Sequence, residues 1–295
     1  MTPSVYILIP VHNRKAVTLT CLETLQHNGD IDRYHAVVID DGSTDGTTAA
    51  IQASFPQITI LKGDGNLWWT GAIAMGMQYA YAQGANFVIW LNDDTLPLAE
   101  TLTKLVNHCI QAPKRLATAQ CYANEALTQS TYGGQLKHPL SIELVATPQG
   151  QTRPCDCMSG NLVCLPCSIV DDIGYPPADR LPHCRADIVY TLTAKRAGYE
   201  LSVLGDAVAL ATLNPFDQGW ALSEIPMGQR WRQLGSLKSN IHPPTYWVYC
   251  KAVFGWLGPL LFVAVYLKLL GFTIARGILP LAWLKQLKTL KDRAR

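Results

Sequence analysis

Four times in the first 110 residues a short apolar, β-rich run is followed by a longer helix-like stretch: 5–9 then 15–27, 36–40 then 47–54, 58–61 then 72–83, and 87–91 then 99–110. Strand and helix in regular alternation predict an α/β fold whose mostly parallel sheet is covered by helices on both faces. Sheets of this kind bind ligands at the carboxyl ends of their strands. Those ends carry His12 and Asn13, Asp40 to Asp45, Gly63 to Asn66, and Asn92 to Asp94. All four are polar or glycine-rich, as a nucleotide pocket requires. From 116 to about 213 the pattern is less regular, with a Gly133–Gly134 turn, a strand-like run at 161–166 and a helix-like run at 186–198, and it reads as a second lobe over the first.

Charge divides the chain more sharply than its net charge of +2 suggests. Residues 1–224 hold 13 basic and 21 acidic side chains, whereas 225–295 hold 11 basic and a single acid, Asp292. The acidic body argues against nucleic acid as a partner, and the basic, apolar remainder suits an anionic membrane surface. The expected organisation is a nucleotide-binding half at 1–115, a second half of the same domain at 116–224, and a helical membrane-associating region at 225–295. The first residues show no basic segment ahead of a long apolar run, so the body is expected on the cytoplasmic side. Nine irregularly spaced cysteines predict free thiols. Five of them (Cys155, Cys157, Cys164, Cys167 and Cys184) lie close enough for either a zinc site or ordinary buried packing.

Two strands end in adjacent carboxylates. In VVIDDGSTDGT (37–47), Asp40 either accepts hydrogen bonds from a base or ribose, or serves with Asp41 and Asp45 only to turn the chain and cap the next helix. In IWLNDDTLP (89–97) the acids are either merely solvated or hold a hard divalent cation, Mg²⁺ or Mn²⁺, which binds through a few carboxylates and substrate phosphate oxygens. Two acid-tipped strands in one sheet favour a nucleotide diphosphate with a metal. Gly65 and Asn66 permit a tight turn, and Trp68 and Trp69 offer flat faces for a base or sugar, one of them expected in the core.

Taken in order, IPVHNR (9–14), VVIDDGSTDGT, GDGNLWWTGA (63–72) and LNDDT (91–95) resemble the inverting family 2 glycosyltransferases over residues 4–212. The resemblance implies a GT-A nucleotide-diphospho-sugar transferase fold whose nucleotide-sugar-binding half is 1–115 and whose acceptor-binding and catalytic half is 116–224, with Pro10, Val11, Asn13, Asp40 and Ser43 lining the nucleoside pocket. It places the family's metal motif on Asn92, Asp93 and Asp94, with Asp94 as the metal ligand and Asp93 beside the donor. The GNLWWTGA stretch is similar to a rhamnosyltransferase-like branch. RADIVYTLTAKRAGYEL (185–201) resembles the acceptor-side motif, with Asp187 on the catalytic-base position, while Ala186, Val189 and Thr193 depart from the pattern. Those departures also motivate a degenerate scaffold. A nucleotidyltransferase is a third reading, but IPVHNRKA lacks a glycine-rich basic loop. The expected reaction moves a sugar from a nucleotide-diphospho-sugar to a lipid-linked or polysaccharide acceptor. Asp187 is its base, and His183 either assists or is an ordinary loop residue.

Residues 252–275 form a 24-residue run with one charge, Lys268. As a helix it is about 36 Å long, enough to cross a bilayer. Basic residues flank both sides: Arg230, Arg232, Lys238 and Lys251 before, and Arg276, Lys285, Lys288, Lys291, Arg293 and Arg295 after. A single span therefore conflicts with the positive-inside tendency. Gly255, Gly258, Pro259 and Gly271 interrupt the run, and Trp247, Trp256 and Trp283 suit an interface. The expectation is one or two helices lying in the cytoplasmic leaflet, against the alternatives of a true span or hairpin and of a soluble packing helix.

Overall fold

The computed structural model describes residues 3–213 and 226–278. The chain divides into two compact units, Met1–Thr212 and Leu213–Arg295, ahead of the composition boundary at residue 224. The first unit begins with β1 (Val5–Val11), α1 (Lys15–His27), α2 (Asp30–Arg33), β2 (His35–Asp40), α3 (Thr47–Ser54), β3 (Thr59–Lys62), α4 (Trp68–Ala82), β4 (Phe87–Leu91), β5 (Leu96–Pro97) and α5 (Thr101–Ile110). It continues through β6 (Arg115–Tyr122), β7 (Gly134–Lys137), β8 (Ile142–Leu144), β9 (Thr152–Pro154), β10 (Cys157–Met158), β11 (Leu162–Pro166), α6 (Ile169–Ile173), α7 (Ala186–Arg196) and β12 (Glu200–Leu210).

The main sheet runs β3-β2-β1-β4-β11-β6-β12-β5 with β9 on β12, and β10-β7-β8 form a smaller sheet. Side chains alternate along each strand, so each strand feeds two cores. Ile7, Ile9, Val38, Ile89 and Leu91 pack with Leu22, Leu25, Ile51, Leu102 and Leu105 on one face. Leu8, Val37, Ile39, Val88 and Trp90 pack with Ile73, Met77, Ala80 and Tyr190 on the other. Gly76 lets α4 lie close to the sheet, since a Cβ there would stand 2.9 Å from Ile39 Cδ1 and 3.2 Å from Leu8 Cδ2.

The expected mostly parallel sheet needs correction. The pairs β1–β2, β1–β4, β2–β3 and β6–β12 are parallel, but β11 runs antiparallel to both β4 and β6, and β5 and β9 antiparallel to β12. A buried apolar run such as 162–166 carries no sign of its direction. The second half is thus a continuation of the same sheet rather than a lobe laid over it.

In the second unit α8 (Met227–Leu234) is followed by α9 (Pro243–Phe254), a 3-10 turn (Gly255–Leu257) and α10 (Gly258–Ile278). The stretch Pro243–Ile278 is apolar and long enough, by length and composition, to cross a membrane. It folds back on itself at the turn. Tyr246 lies 6.1 Å from the Phe262 ring and 6.4 Å from Tyr266, and the Tyr266 hydroxyl donates to the Ile241 carbonyl at 2.6 Å. Leu260, Val263, Leu267, Leu270 and Ile274 remain exposed along one face of α10, and Trp256 in the turn is 81% exposed. The flanking residues Trp283, Lys285, Lys288, Lys291, Arg293 and Arg295 lie outside the described residues.

Asp30 is 1% exposed where α2 begins. Burial pushes its carboxyl up to about 6, against the weaker pull of Asn28 and Arg33. A carboxyl raised in the folded state favours folding below its unfolded value, and that contribution is lost as pH rises through about 6. Asp30→Asn should therefore raise the stability at pH 7.5 by about 1 kcal/mol, allowing for solvent screening. In thermal melts the gap from the native chain should close as pH falls below 6.

Candidate active site

The loops after β1 and β2 are stitched to each other. Asn13, at φ 52°, donates its backbone N–H to Ser43 Oγ at 2.8 Å, and its Oδ1 accepts the Thr44 N–H at 2.7 Å. Asp40 Oδ1 accepts the Ser43 N–H at 2.9 Å, and Oδ2 accepts the Thr48 hydroxyl. Register sets Pro10 against Ile39 and Val11 against Asp40. Pro10, Val11, Asn13, Asp40 and Ser43 thus meet at one corner of the sheet, with both Asp40 oxygens engaged inside the loop that it turns.

Asp41, expected only as part of a turn, organises the next loop. It is 4% exposed and accepts the Gly65 N–H at 2.8 Å on Oδ1 and the Trp68 N–H at 2.9 Å on Oδ2. This second bond helps α4 to begin at Trp68, ahead of the expected 72. The loops are close: a Cβ on Gly42 would lie 3.0 Å from Gly65 Cα, and both glycines have positive φ, +71° and +90°. Asn66 shares the turn through its N–H to Asp64 Oδ1 at 2.9 Å.

The paired tryptophans split in direction. Trp68 faces His183 at 5.5 Å between ring centroids. Trp69 stands edge-on at 5.6 Å to the fully buried Trp90 and donates its indole N–H to Asn92 Oδ1 at 2.7 Å. Its six-membered ring lies against Gly160, where a Cβ would collide with it and also come within 3.1 Å of Asp187 Cβ.

Beyond β4 the motif residues have three different environments. Asn92 is held by Trp69. Asp93 is buried, accepts the Thr18 hydroxyl at 3.0 Å and pairs with Arg14 Nη1 at 3.1 Å. Burial pushes its carboxyl up to about 6, partly offset by Arg14. Asp94 is about half exposed and pairs with Arg14 Nη2 at 3.0 Å. Arg14 closes the motif IPVHNR, and its signal in the sequence is a basic pair, Arg14 and Lys15, just after a strand in a sheet two of whose other strands end in acids.

Asp187 sits in the first turn of α7, entered through Arg185 at φ 71°. Its Oδ2 accepts the Gly160 N–H at 2.7 Å and Oδ1 the Ile188 N–H at 2.8 Å. Burial raises its pKa, and these two donors and Arg185 oppose the shift. A carboxyl so held is oriented and more basic than an exposed one.

Among the described residues no group of three or more His, Cys, Asp or Glu side chains converges on a metal position. The donor set fits the other mode, in which Mg²⁺ or Mn²⁺ takes one or two carboxylates and completes its shell with phosphate oxygens and water. Asp94 is the motif carboxylate open to solvent. Cys155, Cys157, Cys164 and Cys167 are buried in the packing, and burial pushes the Cys155 and Cys167 thiols up to about 12 and about 11.

Residues 6–162 match the model of glycosyl transferase family 2. A curated relative, galactofuranosyltransferase GlfT1 of Mycobacterium tuberculosis, is 35% identical over 95 residues, which is 32% of this chain and 31% of that protein. The match therefore spans under a third of the relative's length. Among solved structures, the Pyrobaculum calidifontis mannosyltransferase PcManGT in complex with GDP-Man and Mn²⁺ superposes with a TM-score of 0.58 at 16% identity, over 100% of this chain and 81% of that one. GalNAc-T7 with UDP, GalNAc and Mn²⁺ gives 0.62 at 12% identity, over 85% and 48%. Staphylococcus aureus TarS 1–349 gives 0.55 at 15% identity, over 89% and 87%. At such identities the likeness speaks for the fold, which is GT-A. With the strand tips assembled as above and the family model spanning more than half of its length, this chain belongs to glycosyl transferase family 2.

Proposed function

We propose that the chain transfers a sugar from a nucleotide-diphosphate donor to an acceptor hydroxyl with inversion at the anomeric carbon. The observation that carries this reading is the bridge formed by Trp69, with Asn92 of the acidic turn at its N–H and the Gly160–Asp187 contact at its ring. Pro10, Val11, Asn13, Asp40 and Ser43 line the nucleoside pocket. Gly65, Asn66, Trp68, Trp69 and Asp93 border the diphosphate and sugar. Asp187, oriented by two backbone N–H groups, takes the proton from the acceptor hydroxyl as it attacks. Asp94 would hold a divalent cation, Mg²⁺ or Mn²⁺, which when bound would supply positive charge against the leaving diphosphate. Attack from the side opposite that leaving group inverts the centre.

The GNLWWTGA turn supports a rhamnosyltransferase-like donor preference, while the GlfT1 relative supports a galactofuranosyl donor. The acceptor is a lipid-linked sugar or a polysaccharide of the cell surface, reached from the cytoplasmic face of a membrane. The hairpin of α9 and α10 supports that location. Twelve residues of α9 extend only about 18 Å, too short to cross, so the hairpin rests in one leaflet with its exposed stripe toward lipid.

Thermal melts with UDP-, GDP- and dTDP-sugars should show one nucleotide raising the melting temperature, more with Mn²⁺ than with EDTA. Asp94→Ala should remove the Mn²⁺-dependent part. No rise with any of them contradicts a nucleotide-sugar donor. Asp187→Asn should lower transfer roughly a hundredfold or more while donor binding is kept. Transfer by the native chain should fall as pH drops through the raised Asp187 pKa, because the protonated acid cannot accept a proton. Near-normal transfer by Asp187→Asn would remove Asp187 from the role of base. In a flotation assay with anionic vesicles the full chain should rise with lipid. A Leu260→Glu, Leu267→Glu double variant should stay below, and equal flotation by both would exclude the stripe as the lipid contact.

A further inference from the structure

Arg14 occupies a position that the proposed reaction leaves unexplained. Its guanidinium spans the two motif carboxylates, with Nη1 3.1 Å from Asp93 Oδ1 and Nη2 3.0 Å from Asp94 Oδ2. Arginine stays protonated at any physiological pH and presents its donors in a rigid fork, so it acts as a fixed unit of positive charge. The two halves of the bridge differ. The Asp93 side chain is 4% exposed and is also held by Thr18, whereas the Asp94 side chain is 47% exposed and that of Arg14 43%. Water competes with the Asp94 contact far more than with the Asp93 contact.

We infer that Arg14 is a built-in counter-cation, anchored on Asp93, whose hold on Asp94 is exchanged for a divalent cation when the donor arrives, so that the guanidinium then engages the donor's anionic diphosphate. This rests on the nucleotide-sugar reading above. The carboxylate that fits a cation is the one whose oxygen Arg14 already neutralises, and two positive charges within a few ångströms repel each other while sharing that ligand. Metal affinity in the absence of nucleotide is therefore held down. Once the diphosphate adds its own negative charge, both cations are accommodated, and the fork of Arg14 matches phosphate oxygens. The turn after β1 and the turn after β4 are thereby coupled through one side chain. Arg14 is a positioning residue before the donor binds and a phosphate ligand once it is bound.

The test separates the two ligands. Mn²⁺ alone is titrated into the full chain and followed by the electron-spin resonance of free Mn²⁺, and the nucleoside diphosphates UDP, GDP and dTDP are titrated separately by calorimetry in Mn²⁺. Arg14→Gln should bind Mn²⁺ alone roughly tenfold more tightly and the preferred diphosphate roughly tenfold more weakly than the native chain, opposite shifts that a loss of folding does not produce. Arg14→Lys keeps a charge beside Asp93 but cannot fork across both acids. It should bind Mn²⁺ alone more tightly than the native chain by a smaller factor, and it carries the metal test if Arg14→Gln does not fold. Unchanged or weaker Mn²⁺ binding in the folded variants overturns the exchange. Tighter Mn²⁺ binding with undiminished diphosphate binding overturns the phosphate role. If the native chain binds none of the diphosphates, the nucleotide-sugar reading fails and the phosphate role with it, while the Mn²⁺ titration still decides the exchange.

Discussion

The hydrogen bond from the Trp69 indole to Asn92 is the contact on which the arrangement of the site depends. It fixes the head of α4 to the turn after β4, and the same ring, backed by Trp90, fills the space left by the missing side chain of Gly160. Gly160 in turn gives its N–H to Asp187. One aromatic side chain thus spans from the acidic turn to the candidate base. A polar atom buried beside an indole is costly unless paired, so the Trp69–Asn92 bond satisfies both partners at once. It also gives a physical role to the asparagine that opens the Asn92–Asp93–Asp94 turn.

Charge compensation is the second constraint. Asp93 and Asp187 are both raised by burial, and the chain answers each differently. Asp93 receives a guanidinium and a hydroxyl, which hold its carboxylate in place. Asp187 receives two backbone N–H groups and the pull of Arg185, which leave it oriented, while burial leaves it readier to take up a proton. Asp40 and Asp41 spend their oxygens on the turns around them, and those turns set the glycine backbone of the two neighbouring loops in contact. Four acids of one residue type therefore do different work because their partners differ.

The first four strands were legible because each is an uninterrupted apolar run closed by turn chemistry, and β4 appears at 87–91 as expected. The long strands β6 and β12 were not. In β6 the buried Thr118 and Gln120 interrupt the apolar pattern, and only the fold shows their polar atoms satisfied, by the Leu162 carbonyl and by the Thr147 N–H. In β12 the register slips between Leu204 and Val208, which breaks the period of two that a sequence reading needs. The site shows the same division. Asn13, Asp40, Ser43 and Asp94 stand at strand tips and are found by position along the chain. The roles of Asp41, Arg14 and Gly160 come from partners 24 or more residues away, on other loops, that no local pattern reveals.

The most direct measurement is a crystal structure of the chain with its preferred nucleotide-diphospho-sugar and Mn²⁺. The nucleoside is expected at the corner formed by Asn13, Asp40 and Ser43, the diphosphate beside Asp94, and the anomeric carbon with its open face toward the Asp187 carboxylate. A nucleotide seated away from that corner, or an anomeric carbon whose leaving diphosphate lies on the Asp187 side, would contradict this arrangement.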